Sequence, residues 1–178
     1  MGRARLRVPR PGRQHGPHRR GPVIAVAQQT TSRRAPGTPG ALSRWVQHKA
    51  NARTIRRLRT RGGRQMGMDL LVLHTVGRRS GEPRQTPLAW FDDGDGAWLV
   101  VASGGCSRHP DWFANLVARP DDVRVELHGT ERVPVTPHVL DDAARAVVWP
   151  RIAAAAPHID KHQRRSARTH PVVRLARR

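Results

Sequence analysis

The sequence predicts a mainly β protein of the α+β class, a small antiparallel barrel with inserted short helices. Apolar runs of strand length recur between residues 70 and 175, and turns rich in glycine or polar residues separate them. Helical segments interrupt these runs at two places instead of alternating with every strand, which argues against a parallel sheet.

The charge distribution separates a basic N-terminal third from an ordinary globular remainder. The 178 residues carry a formal net charge of +20. Residues 1–68 contain 17 basic and no acidic side chains, whereas residues 69–178 contain 16 basic and 13 acidic ones. Residues 1–40, rich in Arg, Pro and Gly, lack apolar periodicity, so we predict a disordered basic tail. An upstream stretch included through a wrongly assigned start would have the same composition.

We predict a basic amphipathic helix over residues 41–64, because apolar residues recur there at helical spacing among arginines. The apolar residues are Trp45, Ala52, Ile55 and Leu58. We favour a helix that packs on the barrel and exposes a solvated arginine face. The alternative is a helix on anionic lipid, where each surface arginine contributes about 1 kcal/mol. We do not expect a nucleic-acid partner, because Trp45 is the only aromatic residue of the basic segment.

The barrel domain, residues 65–178, is predicted from six strands and three helical segments. Pro87 interrupts the second strand and places it at an edge or a bulge of the sheet. Asp141 is the predicted N-cap of an alanine-rich helix. The strands are residues 70–76, 84–91, 97–103, 123–127, 132–135 and 171–175, and the helical segments are residues 110–120, 141–156 and 157–165.

A turn between the first two strands concentrates positive charge. Glycines bound it, and Arg78, Arg79, Ser80 and Arg84 lie on or beside it. Glycine lets a backbone approach a ligand closely, and planar guanidinium groups bind phosphate or carboxylate bidentately. The turn lacks the lysine and the spacing of a Walker P-loop, and a solvated basic hairpin is the alternative.

A second candidate site follows the third strand. Ser103 leads into Gly104 and Gly105, and Pro110 then starts a short helix whose free N–H groups suit an anion or a carbonyl oxygen. Cys106 is the only cysteine, which excludes an internal disulfide and fits a reducing cytoplasm. No third group supports Cys106 with His109 as a thiol nucleophile.

His158 and His162 lie four residues apart, but no third ligand accompanies them, so we expect no metal site.

Taken in order, these segments resemble the deazaflavin (F420)-dependent nitroreductase family of actinobacteria, also called F420-dependent quinone reductases. The resemblance covers about residues 42–176. Its matching blocks are Gly77–Gly81, Pro83-Arg84, Pro87-Leu88, Ser103–Gly105, Pro110, Trp112, Asn115-Leu116, Trp149, Pro157, Gln163 and Arg168–Val173.

The resemblance implies a split β-barrel of the FMN-binding type, with coenzyme F420 across one face of the barrel. It implies hydride transfer from the reduced cofactor to a quinone, a nitro compound or an activated alkene, without a metal. The arginine turn would hold the phospholactyl and polyglutamate tail. The implied cofactor-binding residues are Arg78, Arg79, Ser80, Arg84, Pro87, Ser103, Gly104, Gly105 and Trp112.

One departure concerns the substrate. Family members carry tyrosines on the late helix at positions that correspond to Ala156, Ile159 and His162, and this chain contains no tyrosine. The resemblance implies a substrate pocket at these three residues, and we predict His162, which alone of the three can donate a proton, and Ser103 as catalytic groups. The alternatives are a split barrel that binds FMN or haem, and a basic module that binds a membrane or nucleic acid. We expect a cytoplasmic monomer or homodimer with peripheral contact to the inner face of the plasma membrane.

Overall fold

The computed structural model describes residues 41–65, 67–94, 96–104 and 108–178, with side chains from residue 49 onward apart from Gln65. These residues all belong to one compact unit, Arg34–Arg178. The predicted tail of residues 1–40, the glycine at 105 and the cysteine at 106 lie outside the described residues.

Four α-helices and eight strands make up the described part of the chain. No helix in these ranges is long and apolar enough to cross a membrane. The elements are α1 (Ala41–Arg61), β1 (Arg64–Gln65), β2 (Met68–Val76), β3 (Pro83–Ala89), β4 (Phe91–Asp92), β5 (Trp98–Val101), α2 (Asp111–Ala118), β6 (Arg124–Leu127), β7 (Val133–Val139), α3 (Asp142–Ala155), α4 (Pro157–Arg164) and β8 (Val172–Arg177).

The strands form one curled antiparallel sheet in the order β1-β2-β6-β7-β8-β5-β4, and β3 pairs with β2. The split barrel predicted from the sequence is confirmed. β3 has β2 as its one partner strand among the described residues, and Pro87 lies on it opposite Val72. A proline is tolerated on such an edge strand because no second ladder needs its missing N–H.

The largest differences from the predicted strands lie in the second and fifth of them, and the short strand β1 was not predicted. The second predicted strand divides into β3 and β4, with Trp90 between them. The strand predicted at 132–135 continues to Val139, because β7 pairs with β6 over its first residues and then with β8. Two prolines at 134 and 137 made this segment look shorter than it is.

The core has one apolar cluster inside the sheet and a second under the C-terminal helices. Leu71, Leu73, Trp98 and Trp112 belong to the first cluster. The second joins β5 and β8 to α3. The Asp141 carboxylate caps α3, as predicted, by accepting the backbone N–H of Ala144 at 2.8 Å.

Helix α1 packs on the sheet through Ile55 and Leu58, which contact Leu70 and Val72. Ala52, expected on the apolar face, is exposed. The side chain of Arg59, expected on the solvated arginine face, instead bonds to a buried carboxylate of β6. The apolar stripe of α1 is therefore narrower than the sequence indicated, and an ion pair supplements it.

Candidate functional site

The arginine turn between β2 and β3 is tightly built. The Gly77 N–H donates to Glu82 O at 2.9 Å, and the Gly81 N–H donates to Gly77 O at 2.8 Å. A Cβ at position 77 would lie 2.6 Å from Ser80 Oγ, closer than real contacts allow. Glycine at this position lets Ser80 Oγ lie against the start of the turn, whereas a larger residue would make the Ser80 hydroxyl rotate away.

Asn115 of α2 anchors this turn, although sequence reasoning did not place it among the site residues. Its Oδ1 accepts the backbone N–H of Arg78 at 3.1 Å and lies 3.5 Å from the Arg78 guanidinium. The same guanidinium lies 3.6 Å from Asp111. Asn115 is buried, so its amide is fixed. Its place in a matching block was a weak signal, and only the fold shows what it bonds to.

The outer part of the turn presents cations to solvent. Arg79 and Arg84 are exposed, and neither has an acidic partner among the described residues. Ser80 Oγ accepts from Arg84 Nη2 at 3.4 Å and from the Glu82 N–H at 3.3 Å. Ser80 therefore orients Arg84, and the two guanidinium groups are available to an anion.

Arg168 fixes the loop after β5 through hydrogen bonds to the backbone carbonyls of that loop. The Arg168 guanidinium donates to Ser103 O at 2.6 Å and to Ala102 O at 3.3 Å. It also donates to His109 Nδ1 at 3.1 Å. Burial and the charge of Arg168 both lower the pKa of His109, which agrees with a neutral ring that accepts this hydrogen bond.

Gly104 adopts a left-handed conformation with φ +50°, and a Cβ there would lie 3.2 Å from the ring of Pro110 at the start of α2. Thus α2 contacts the glycine loop at one end, and through Asn115 it holds the arginine turn. The short helix α2 therefore contacts both parts of the predicted cofactor site, the arginine turn and the glycine loop.

His162 of α4 lies against the same loop. Its Nε2 is 3.0 Å from Gly104 O and donates to it. The ring is exposed and lies 5.1 Å, centroid to centroid, from the ring of His170. The structure thus brings His162 to the loop of Ser103 and Gly104, with one ring nitrogen bonded to the backbone.

His170 is buried beside this cluster. Its backbone N–H donates to Gln163 Oε1 at 2.7 Å, and its carbonyl accepts from Arg145 Nε at 3.0 Å. Burial, followed by the charges of Arg168, His162 and Arg145, lowers the pKa of His170 to about 4. The ring is therefore neutral at pH 7, which avoids a second buried cation beside Arg168.

The remaining predicted site residues differ in how far they are buried. Ala156 is 1% exposed and contributes to the core under α3, where half-buried Ile159 packs against the same cluster. Trp112 is 8% exposed and belongs to the main core. Pro87 is half-buried on β3. Of the three predicted pocket positions, only His162 is at the accessible surface beside the glycine loop.

No group of three His, Cys, Asp or Glu side chains within the described ranges is arranged to hold a metal ion.

Comparison with known proteins identifies the family to which this site belongs. The family described as F420H(2)-dependent quinone reductase matches residues 45–176. The chain belongs to this family. The family is one of oxidoreductases, and its cofactor is coenzyme F420. The resemblance seen in the sequence is therefore confirmed.

Individual relatives agree with the family assignment. F420H(2)-dependent quinone reductase Rv1261c of Mycobacterium tuberculosis (strain H37Rv) is 38% identical over 112 residues, 61% of this chain and 73% of the relative. A solved F420-H2 dependent reductase (FDR-A) is 28% identical with a TM-score of 0.52, covering 60% of this chain and 92% of its own. Another solved structure, described as a domain-swapped dimer, is 26% identical with a TM-score of 0.55, and the match covers 76% of this chain and 99% of the other.

The residues present fit such a cofactor. A polyanionic tail needs cations without acidic partners, and Arg79 and Arg84 provide them on a rigid turn. A planar ring needs a fixed backbone surface beside it, and the loop at Ser103 and Gly104 provides one, held in place by Arg168 and His162.

Proposed function

We propose that this protein transfers a hydride from reduced coenzyme F420 to a quinone, and that nitro compounds and activated alkenes also serve as acceptors. The observation that carries the proposal is α2, which connects the arginine turn with the glycine loop through Asn115 and Pro110. Family membership supports the cofactor and the quinone. The wider acceptor range follows the resemblance to the F420-dependent nitroreductases, in which the reduced ring passes a hydride to a quinone, a nitro compound or an activated alkene.

In this proposal the arginine turn binds the phosphate of the cofactor. Arg79 and Arg84 donate to its oxygens, while Ser80 fixes the direction of Arg84 and Asn115 fixes the backbone of Arg78. A hydrogen bond to a charged group contributes about 1.5–3 kcal/mol. We expect two such groups on this turn to contribute most of the binding free energy of the cofactor's phosphate.

The glycine loop supports the ring. Arg168 and His162 hold the carbonyls of Ser103 and Gly104, so the loop presents one fixed surface to the ring. Pro87 on β3 and the core residue Trp112 shape the surroundings. When bound, the reduced deazaflavin supplies the hydride, and the protein supplies orientation and electrostatics. Ser103 remains the proposed hydrogen-bond donor to the ring or the acceptor.

His162 remains the proposed proton donor for the reduced acceptor, and its hydrogen bond restricts how it can act. Because Nε2–H donates to Gly104 O, the neutral ring has a lone pair on Nδ1 and no second proton. His162 can therefore protonate an acceptor only from the imidazolium form, through Nδ1. The alternative role of the same side chain is to position the loop, with water as the proton source.

The proposal is tested by absorbance titration of the protein with oxidised F420, FMN and haem. We expect F420 to bind more tightly than the other two. Arg84→Ala should weaken F420 binding about 10- to 100-fold, since it removes a charge-assisted bond. Arg119→Ala is the matched control, because Arg119 is exposed and pairs with Asp122 instead of facing the turn. An unchanged Kd in Arg84→Ala would place the anion site elsewhere.

We also propose a cytoplasmic protein, a monomer or a homodimer, in peripheral contact with the anionic inner face of the plasma membrane. The support is the exposed arginines of α1, Arg53, Arg56 and Arg57, beside a buried face that is already used against the sheet. Such contact would be electrostatic and would bring the site near membrane quinones.

A further inference from the structure

Gln163 of α4 lies at the centre of a group of hydrogen bonds behind the loop of Ser103 and Gly104. Its Oε1 accepts from the backbone N–H of His170 at 2.7 Å and from Arg145 Nη2 at 3.1 Å. Its Nε2 donates to Arg168 O at 3.0 Å. The amide therefore acts as acceptor and donor at the same time and closes the backbone of residues 168–170 around itself.

The chemistry of this position is specific to an amide. A glutamate of the same length would place an oxygen against Arg168 O, and a methionine would leave all of these polar partners without their hydrogen bonds to the side chain. Gln163 is half-buried, so water can replace these bonds only in part.

Two side chains of α3 hold the amide from the other side. Arg145 Nε donates to His170 O at 3.0 Å, beside the bond from its Nη2 to Gln163. The Arg145 guanidinium lies over the ring of Trp149, 4.0 Å from its centroid. Trp149 Nε1 in turn donates to Asp160 Oδ1 on α4 at 3.2 Å. These contacts tie α3 and α4 together at Gln163.

Arg168 extends this arrangement to the end of β5. Its guanidinium donates to Ser103 O at 2.6 Å and to His109 Nδ1 at 3.1 Å. The backbone of the same segment makes a parallel connection, because the Ala102 N–H donates to Pro171 O at 2.8 Å. The place of residue 168 therefore sets where the Ser103 peptide lies.

The neighbouring residue of α4 holds the next peptide of the loop. His162 Nε2 donates to Gly104 O at 3.0 Å. Two consecutive residues of α4 thus hold two consecutive carbonyls, His162 directly and Gln163 through Arg168.

We propose that Gln163 is a positioning residue for hydride transfer, because its amide fixes the segment from which Arg168 holds the Ser103 peptide. This rests on the proposed function, in which the loop of Ser103 and Gly104 lies beside the cofactor ring. A misplacement of about 1 Å at a reacting centre costs as much as about 100-fold in rate. The effect of Gln163 passes through Arg168.

The first measurement needs no cofactor. Burial and then the charge of Arg168 lower the pKa of His109, so NMR titration of the His109 ring reports whether Arg168 is in place. Gln163→Met, which removes the amide without adding charge, should raise the His109 pKa toward its ordinary value, as should Arg168→Gln. The signal is assigned by its absence from His109→Gln. A parent-like His109 pKa in Gln163→Met, with a raised pKa in Arg168→Gln, would overturn the proposal.

The second measurement is the single-turnover rate of hydride transfer from reduced F420 to menadione, a soluble quinone. Gln163→Met should lower the rate at saturating cofactor about 10- to 100-fold. The Kd for F420 should stay within about threefold of the parent, because the arginine turn is unchanged. The double variant of Gln163→Met and Arg168→Gln should be no slower than Arg168→Gln alone. Losses that multiply in the double variant would show that Gln163 does not act through Arg168.

The matched control is Lys161→Gln, which changes an exposed residue on the same helix. It should leave the rate and the His109 pKa unchanged, and a loss equal to that of Gln163→Met would overturn the proposal. If Gln163→Met does not fold, Gln163→Glu tests the same contact, since it keeps the acceptor and removes the donor to Arg168 O. A parent-like rate in folded Gln163→Glu would also overturn the proposal. A parent that transfers no hydride from F420 would refute the proposed function, and the His109 titration would still decide whether Gln163 holds Arg168 in place.

Discussion

Replacing Glu126 with glutamine tests how α1 is held on the barrel. The Glu126 carboxylate accepts from Arg59 at 2.6 and 2.8 Å and from His74 Nε2 at 2.9 Å. These bonds, chiefly the one from Arg59, lower the pKa of Glu126 from 4.5 to about 2. Burial lowers the pKa of His74, so the neutral ring donates its N–H to the carboxylate.

The magnitude follows from the pKa shift. The lowering of the Glu126 pKa from 4.5 to about 2, at about 1.4 kcal/mol for each pH unit, gives an upper bound of about 3 to 4 kcal/mol for the preference of the folded protein for the charged carboxylate. Glutamine keeps the size of the side chain and removes the charge. Glu126→Gln should therefore lower the free energy of unfolding at pH 7 by up to about 3 to 4 kcal/mol.

The pH dependence checks the same reasoning. The folded pKa of Glu126 is below the unfolded value, so its stabilisation is complete above pH 4.5 and is lost as pH falls toward about 2. The folded pKa of His170 is also depressed, from 6.5 to about 4, so stability falls as pH decreases from 6.5 to about 4 and the unfolded chain takes up this proton first. Glu126→Gln should abolish the loss of stability that begins below pH 4.5 and keep the loss that begins below pH 6.5.

The assay is urea unfolding followed by tryptophan fluorescence at pH 7, 5 and 3. The control is Asp121→Asn, whose carboxylate is 97% exposed and pairs with Arg178 at 3.7 Å. This substitution should change stability by less than about 0.5 kcal/mol. Equal midpoints for Glu126→Gln and the parent at pH 7, or an unaltered loss of stability below pH 4.5, would refute the assigned role of the ion pair.

Three further predictions concern the site, the tail and the membrane. If His162 is the proton donor, the rate of single-turnover cofactor oxidation should fall as rising pH removes the imidazolium proton, and His162→Ala and His162→Gln should both lose this pH dependence and about 10²-fold in rate. If His162 positions the loop, His162→Gln should keep the rate by donating to Gly104 O. Identical rates and pH profiles in the parent and both variants would exclude both roles. Deletion of residues 1–40 should leave the urea midpoint and the Kd for F420 unchanged, because every core residue described lies at or beyond Ile55; loss of folded protein would show that the domain boundary is wrong. The protein should co-sediment with vesicles that contain anionic lipid at low salt, and less so at 0.5 M salt, where the Debye length is about half its physiological value. Binding that does not depend on salt, or no binding, would contradict the membrane proposal.

The sequence by itself determined the features that depend on neighbouring residues. Glycine at positions 77 and 81 indicated a tight turn that carries the arginines, and Asp141 indicated a helix start. Pro87 indicated an edge strand, because a proline removes its own ladder hydrogen bond wherever it stands. The family was evident from the order of such local blocks along the chain.

The tertiary structure decided which distant residues meet. Arg59 bonds to a carboxylate 67 residues away, and Asn115 holds the turn 37 residues before it. The sequence indicated a solvated arginine face on α1, and it placed Ala156 in a pocket where the structure places it in the core. Helical or strand periodicity indicates that a side chain is apolar or polar, but the partner of a buried polar group depends on long-range packing. For that reason the arginine turn was found from the sequence, while its anchoring by Asn115 was not.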